Sequence, residues 1–255
     1  MSRRRGRGKG RRPEPEGDRI LTGRRFVLEG LKGGTIREIA IAHGLGEKLP
    51  ELLEAAARAG VTLREADRDT LDRLSGGVKH QGVVAVGPPY PWRSVDELRA
   101  RAAEPALLVA LDEITDPHNF GAIVRSAIAF GADGLLVPKH RAASVTPVVV
   151  RASAGATEVA RMAKVTNLQR TLQALGDDGL QIVGLDMEGE VELGALPEAP
   201  LGRVVVVGSE GKGLRRMVRE RCTLIARIPQ AGPVASLNAS VAAGIALYEA
   251  ARQRD

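Results

Sequence analysis

From Arg24 onward the chain alternates apolar runs with polar, glycine-bearing breaks. The first stretch, RRFVLEGLKGGTIREIAIAHG, joins a glycine break to an amphipathic run. ELLEAAARAG then reads as a short helix closed by Gly60, and VTLREAD as a strand. DRDTLDRLSGG reads as a capped helix closed by Gly76 and Gly77, and GVVAVGPP as a last strand. This alternation predicts a small α/β unit over residues 23–89. His80 and Gln81 precede its last strand, where they either face a ligand or make a polar turn. In PPYPWRSVDELRARAAE a proline cluster meets a charged amphipathic helix, which reads as a linker over residues 90–104.

From residue 105 to 255 the rhythm changes. ALLVALDEI, DGLLVP, LQIVGLD, RVVVVGSE and TLIARIP are continuous apolar runs, the pattern of strands buried on both faces of a mostly parallel sheet. Helical patterns such as GAIVRSAIAFGA and LQRTLQALGDD connect them, so a β–α alternating domain is expected. In such sheets ligands gather at the carboxyl ends of strands. Three polar, glycine-bearing loops fall there: DEITDPHNFGAIVRSA after the first run, GSEGKGLRR after the fourth and IPQAGPVASLN after the fifth. The last leads from Ile228 into small and apolar residues that form a buried helix, with Ser236 or Asn238 placed to cap its orphan amides.

Composition narrows the class. Hydrophobic residues make up 44% of 255, enough for real cores, while aromatics at 2% leave those cores to Val, Leu, Ile and Ala. A single cysteine, Cys222, rules out an internal disulfide framework and fits a reducing compartment. No apolar stretch is long enough to span a membrane and no apolar core of a signal peptide follows the N-terminus, so the expected location is cytoplasmic. The net charge of +6 is unevenly placed. Arg3, Arg4, Arg5, Arg7, Lys9, Arg11 and Arg12 are seven of the 37 basic residues, and setting them aside leaves 30 against 31 acidic ones. Residues 1–22 thus read as a basic disordered tail that either grips phosphates without reading sequence or simply adds solubility. The body behind it is near neutral.

Several familiar chemistries fail on spacing. GSEGKGL lacks the four residues between glycines and the Ser or Thr after Lys that a phosphate loop needs, and no G-x-G-x-x-G follows the first strand. His43, His80, His118 and His140 are scattered without a thiolate pair or a helical His pair, so no metal site is expected. Ser209 and Ser236 lack a nucleophile elbow.

Taken in order, the three loops resemble the three motifs of the SpoU family, also called TrmH, of RNA ribose 2′-O-methyltransferases. The matching residues are Asn119 with Arg125 in DPHNFGAIVRSA, Gly208 and Glu210 in VVVVGSEGKGL, and Ile228, Ser236, Leu237 and Asn238 in IPQAGPVASLNASVAAGIALYE. Similarity extends through VPKHRAASVTPVVVRASAGATEVARMAKVTNL and back to LEGLKGG and HQGVVA, so it covers the chain from about Gly23 onward. Within the family the chain looks most like the RlmB branch, which methylates a guanosine ribose in the peptidyl-transferase region of large-subunit (23S) rRNA. The resemblance implies a trefoil-knotted α/β domain of the SPOUT type, with the N-terminal unit binding RNA. It also implies S-adenosylmethionine as methyl donor and a homodimer whose site is shared between subunits. Gly232, Ala235, Ala239, Ala242, Ala243 and Gly244 would permit the close backbone approach that a knot requires, or else tight helix packing.

The same resemblance assigns roles. Gly208, Ile228 and Leu237 would hold the adenosyl group, and Arg125, Asn119, Glu210, Ser236 and Asn238 would serve the transfer. An arginine stays protonated, so Arg125 suits a bidentate grip on the target nucleotide's phosphate better than the part of a base. Asn119 either caps its helix or joins the site. Glu210 either orients Arg125 or a ribose hydroxyl, or pairs with Lys212 at the surface. Ser236 and Asn238 either place cofactor and nucleotide or cap the last helix. Two other readings remain open: transfer RNA or another rRNA position as substrate, and a non-catalytic RNA-binding factor of ribosome assembly.

Overall fold

The computed structural model describes residues 17–233 and 236–254. The arginine-rich stretch 3–12 and Ala235 lie outside them.

Within the N-terminal unit, β1 (Arg19–Thr22), α1 (Arg24–Lys32), β2 (Glu38–Ala42), α2 (Pro50–Ala59), β3 (Thr62–Ala66), α3 (Arg68–Ser75) and β4 (Val83–Gly87) build a sheet of order β1-β4-β2-β3. Only β2 and β3 run parallel; the other neighbours are antiparallel. Two expectations need correcting. Residues 19–22, read as tail, form β1, because Leu21 is fully buried and the strand pairs with Val84–Gly87. IREIAIAHG, read as part of an amphipathic run, contains the strand β2, since Ile39, Ala40 and Ile41 in succession are buried on both faces.

Residues 90–104 are folded as well. Ser94 caps α4 (Val95–Ala100) in a capping box with Glu97, and Leu98 is buried against the core of the second unit. The stretch joins the units, yet it is packed and not a free spacer.

The second unit holds β5 (Ala106–Asp112), α5 (Pro117–Ala129), β6 (Gly134–Pro138), α6 (Pro147–Ala152), β7 (Met162–Val165), α7 (Leu168–Asp177), β8 (Gln181–Leu185), β9 (Val191–Glu192), β10 (Gly202–Gly208), α8 (Arg216–Arg219), β11 (Leu224–Arg227) and α9 (Ala239–Arg252). All seven strands are parallel, in the order β7-β6-β5-β10-β8-β11-β9. The five expected strands are present. The pattern missed β7, whose run MAKV is short and interrupted by Lys164, and β9, which is only two residues long. Every residue of β5 is buried, as a strand covered on both faces demands. Residues of β5, β6, β8 and β10 alternate between two cores, one beneath α5, α6 and α9 and the other beneath α4, α7 and α8.

The registers matter most for function. Gly208 pairs with Asp112, Val206 with Gly184 and Ala226 with Leu185, so β5, β10, β8 and β11 all end along one edge. Glycine is required at 208, because a Cβ there would collide with the backbone of Gly213 and Leu214. The small residues after Ile228 behave differently from expectation at one point. A Cβ at Gly232 would stand in open space, whereas Ala239, Ala243 and Ala246 are buried and Gly244 faces Ser126.

The two units meet through a buried ion pair. Arg19 Nη2 lies 3.3 Å from Glu158 Oε2, with side chains only 2% and 4% exposed, and Thr35 Oγ1 donates to the same carboxylate oxygen at 2.9 Å. Removing one member of a buried pair strands its partner. Glu158→Gln should therefore cost about 3–5 kcal/mol in denaturant unfolding, far above the usual cost of losing an exposed pair. A midpoint equal to wild type would show that the contact between the units is not held here.

Candidate active site

Asp112 ends β5 fully buried, and what satisfies it shapes the site. The Arg215 backbone N–H donates to its Oδ2 at 2.8 Å and Arg215 Nε to its Oδ1 at 2.6 Å. This doubly bonded carboxylate pins the far end of the loop that begins at Gly208, so residues 209–214 arch over the sheet edge between two fixed points. Glu113, the next residue, has φ 58 and receives ion pairs from Arg215 (3.5 Å) and Arg141 (3.1 Å).

Asp116 caps α5, accepting from the N–H groups of His118 and Asn119, with Pro117 in the first helical position. Asn119 is therefore not the cap, and its side chain is released for another use. It sits nearly buried between two other loops: Asn119 Nδ2 donates to Glu210 Oε2 at 3.3 Å, and Asn238 Nδ2 donates to Asn119 Oδ1 at 2.9 Å. Asn238 caps α9, its Oδ1 accepting from Ser240 N–H (2.9 Å), Ser240 Oγ (2.6 Å) and Val241 N–H (3.4 Å). Those bonds leave its Nδ2 as the atom facing Asn119. A single hydrogen-bonded line thus runs from the start of α9 through α5 to the loop after β10. Capping and site assembly are one act at Asn238, and the cap falls to it and not to Ser236.

Beside this line lies a cavity of about 450 Å³, within the usual size range of small-molecule pockets. Gly208, Glu210, Ile228, Ser236 and Leu237 all line it. Glu210 meets Asn119, with no ion pair to Lys212 or Arg125. Leu185, Asp186, Met187 and Glu188 also line the cavity and were missed from sequence. The signal was present: LQIVGLD ends in an acid at the carboxyl end of a strand, the same position that the other site loops occupy. Asp186 is held by Arg219 Nη1 at 2.5 Å.

Arg125 stands apart. It is exposed on α5, does not line the cavity and has no hydrogen-bonding or ionic partner among the described residues. His80 is absorbed locally, Nε2 at 2.9 Å from Asp72 and Nδ1 accepting from Gly82 N–H, so it braces the turn that holds Gln81 at φ 53. Burial pushes the Cys222 thiol up to about 12, leaving it protonated near neutral pH and unsuited to nucleophilic work. Among the described residues no group of three His, Cys, Asp or Glu side chains could hold a metal ion, and no helix is long and apolar enough to cross a membrane.

With this geometry in place, comparison with known proteins is informative. Residues 106–248 match the SpoU rRNA Methylase family, and residues 20–93 match a unit described as RNA 2′-O ribose methyltransferase substrate binding. A protein described as an uncharacterized tRNA/rRNA methyltransferase of Mycolicibacterium vanbaalenii is 48% identical over 252 residues, covering 96% of this chain and 80% of the relative. One so described from Mycolicibacterium smegmatis is 50% identical over 241 residues, covering 92% and 76%. Among solved structures, the SpoU methyltransferase AviRb from Streptomyces viridochromogenes, in complex with the cofactor AdoMet, superposes with a TM-score of 0.79 at 29% identity, covering 93% of this chain and 91% of its own. An AdoMet-bound rRNA methyltransferase from Sinorhizobium meliloti gives a TM-score of 0.77 at 26% identity, covering 92% and 87%.

The hydrogen-bonded line separates two roles experimentally. Asn238→Ala removes a helix cap and should cost about 0.5–2 kcal/mol of stability. Asn119→Ala leaves both caps intact and should cost less in melting temperature while releasing Glu210, which Asn238→Ala leaves bonded to Asn119. If calorimetry finds Asn119→Ala the more destabilising, Asn119 is chiefly a packing residue.

Proposed function

The chain belongs to the SpoU rRNA methylase family, and from the geometry of its cavity we propose that it transfers the methyl group of S-adenosylmethionine to the ribose 2′-hydroxyl of a guanosine in 23S rRNA. The observation that carries the reading is the line Asn238–Asn119–Glu210, which brings three chain segments to the rim of one cavity of adenosyl size.

The residues present fit the donor. Leu185, Val207, Ile228 and Leu237 offer apolar walls for an adenine, and Asp186 and Glu188 offer carboxylates for ribose hydroxyls or an ammonium group. When bound, the donor supplies a methyl group activated by sulfonium charge. The protein's task is to place the acceptor hydroxyl in line with it, and positioning of this kind accounts for roughly 7–11 kcal/mol of a barrier in favourable cases. Glu210, oriented by Asn119, accepts a hydrogen bond from the acceptor 2′-hydroxyl at the cavity mouth, and the hydroxyl proton leaves to water as the oxygen takes the methyl group. Arg125 grips the adjoining phosphate with two parallel N–H bonds.

That grip comes from a second copy of the chain. Arg125 lies outside the cavity of its own chain, and α9, packed on α5, exposes Val241 (48%), Ile245 (39%) and Tyr248 (55%) along one helical stripe. An apolar stripe of this kind beside an unpartnered arginine is what a two-fold interface completing the site would use. The insertion of β10 between β5 and β8 and the tight backbone approach at Gly208 and at Gly189 support a knotted chain, one of the few exceptions to unthreaded connections. The N-terminal unit then presents the RNA, in the cytoplasm.

Mapping ribose methylations in cellular RNA with and without the protein tests the target: one guanosine of 23S rRNA should lose its methyl group, and an unchanged 23S map with a lost tRNA methylation would overturn that choice. Arg125→Lys keeps the charge but loses the fork, worth about 1.5–3 kcal/mol for a charged hydrogen bond, so turnover should fall about ten-fold or more with donor affinity unchanged.

Sharing of the site has its own signature. Arg125→Ala and Glu210→Gln proteins, each inactive, should recover roughly a quarter of wild-type activity after mixing and subunit exchange, since half the dimers then hold one intact site of two. No recovery in a mixture shown to form mixed dimers would place Arg125 in its own chain's site.

A further inference from the structure

A second cavity, of about 390 Å³, opens on the same sheet edge beyond the loop 209–217. The registers explain its position. Pro138 pairs with Val165, so β6 and β7 end level with each other, and their following loops form its floor while the start of α8 forms its near wall. The loop after β10 therefore separates two cavities: residues 208–213 face the donor side and Arg215–Met217 face this one.

The lining is one-sided in chemistry. His140, Arg141, Arg215 and Arg216 bring nitrogen donors, Asn167 and Gln169 bring amides, and no carboxylate among the described residues lines the cavity. Asn167 Oδ1 accepts from the Arg170 N–H, which leaves its Nδ2 as a further donor. Pro138, Leu168 and Met217 supply an apolar face. The arginines' existing pairs are of the exchangeable kind. Arg141 is 75% exposed in its pair with the 19% exposed Glu113, which keeps Arg215 as a second partner, and Arg216 is 87% exposed in its pair with the 45% exposed Glu220. Exposed pairs contribute about 0–1 kcal/mol, so an incoming dianionic or diester oxygen pair competes well for the guanidinium fork. The backbone is also held in an unusual form here: Glu113 (φ 58) and Arg141 (φ 56) are two of four non-glycine residues with positive φ among the described residues. Such conformations persist only where surroundings impose them, and they concentrate at ligand clamps.

We propose that this cavity is a phosphate-binding subsite for the RNA strand flanking the methylated nucleotide, with Arg141 and Arg216 as its phosphate grips and Pro138, Leu168 and Met217 covering the attached sugar or base. The inference rests on the reading that the chain acts on RNA, and it adds where the strand leaves the transfer site. A strand whose ribose sits at the rim by Glu210 crosses the loop 209–217 and enters the second cavity without leaving the sheet edge. Arg215, fixed by Asp112, forms the shared wall, so strand binding on one side and loop order on the other are mechanically joined.

The test uses the full-length protein and a labelled mixed-sequence RNA oligonucleotide, because phosphate contacts do not depend on sequence. Arg141→Ala and Arg216→Ala should each weaken binding several-fold near 0.1 M salt and flatten the plot of log affinity against log salt by about 0.7–0.9 for each phosphate no longer neutralised. S-adenosylmethionine affinity should stay at the wild-type value. Glu220→Gln, which frees Arg216 of its acidic partner, should tighten RNA binding. The subsite is overturned if both alanine variants keep the wild-type salt slope, or if they lose donor affinity in parallel with RNA affinity. A wild-type protein that binds the oligonucleotide with this slope pattern but leaves a 23S rRNA transcript unmethylated would sink the proposed target while the subsite stands. A wild-type protein that binds no RNA overturns both.

Discussion

The site depends on one topological constraint: a strand late in the chain, Gly202–Gly208, is inserted between Ala106–Asp112 and Gln181–Leu185. Parallel pairing in register lines up their carboxyl ends, and it does so for segments that are roughly a hundred residues apart in sequence. Asn119, Glu210 and Asn238 can share hydrogen bonds only because of that insertion. The same insertion creates a difficulty, since a loop leaving the middle of a sheet must find room over its neighbours. Gly208 resolves it by letting the backbone of Gly213 and Leu214 lie directly against it, and buried Asp112 resolves it by fastening Arg215.

Asparagine at 238 illustrates why competing readings of a polar residue at a helix entrance need not exclude each other. An amide has an acceptor end and a donor end, and capping uses only the acceptor. The donor end is then fixed in direction by the helix itself, which makes a helix cap a rigid platform for a site. A serine at that position would cap equally well but would have no second, oppositely directed group to reach Asn119. Asn119 escapes capping for the complementary reason, because Asp116 three residues earlier takes the work.

Much of this was legible before the structure. The continuous apolar runs of residues 106–111 and 204–207 declare strands covered on both faces, and the polar loops after them declare the ligand edge. Gly208 and Glu210 come from the second of those loops and meet Ile228, Ser236 and Leu237, from the loop after Leu224–Arg227, at one cavity. What escaped was of two kinds. Short or edge elements, Arg19–Thr22, Met162–Val165 and Val191–Glu192, carry too few residues for a period to show, and tertiary pairing alone makes them strands. The loop Asp186–Glu188 escaped because its chemistry is ordinary acidic surface chemistry until the fold closes it over a pocket. Gly232 erred in the other direction, its smallness suggesting a close approach where the space is open.

Arg125 shows where sequence and a single chain both stop. The family resemblance assigns it a part in the transfer, yet in one chain it is an exposed arginine without a partner among the described residues. A long cation held in water contributes little by itself. It becomes useful when a surface desolvates it against an anion, and the chain offers apolar groups nearby: α9 packs on α5, with Val241, Ile245 and Tyr248 exposed on it. Burying that stripe would bring the arginine into a drier setting, where a charge-assisted bond to a phosphate oxygen gains strength. In the proposed dimer the labour would be divided between copies, with donor pocket and acceptor alignment built by the hydrogen-bonded loops of one chain and phosphate charge met by the helix of the other. Strand insertion makes the first half within a chain, and the second half is what the proposed pairing through the apolar stripe would supply.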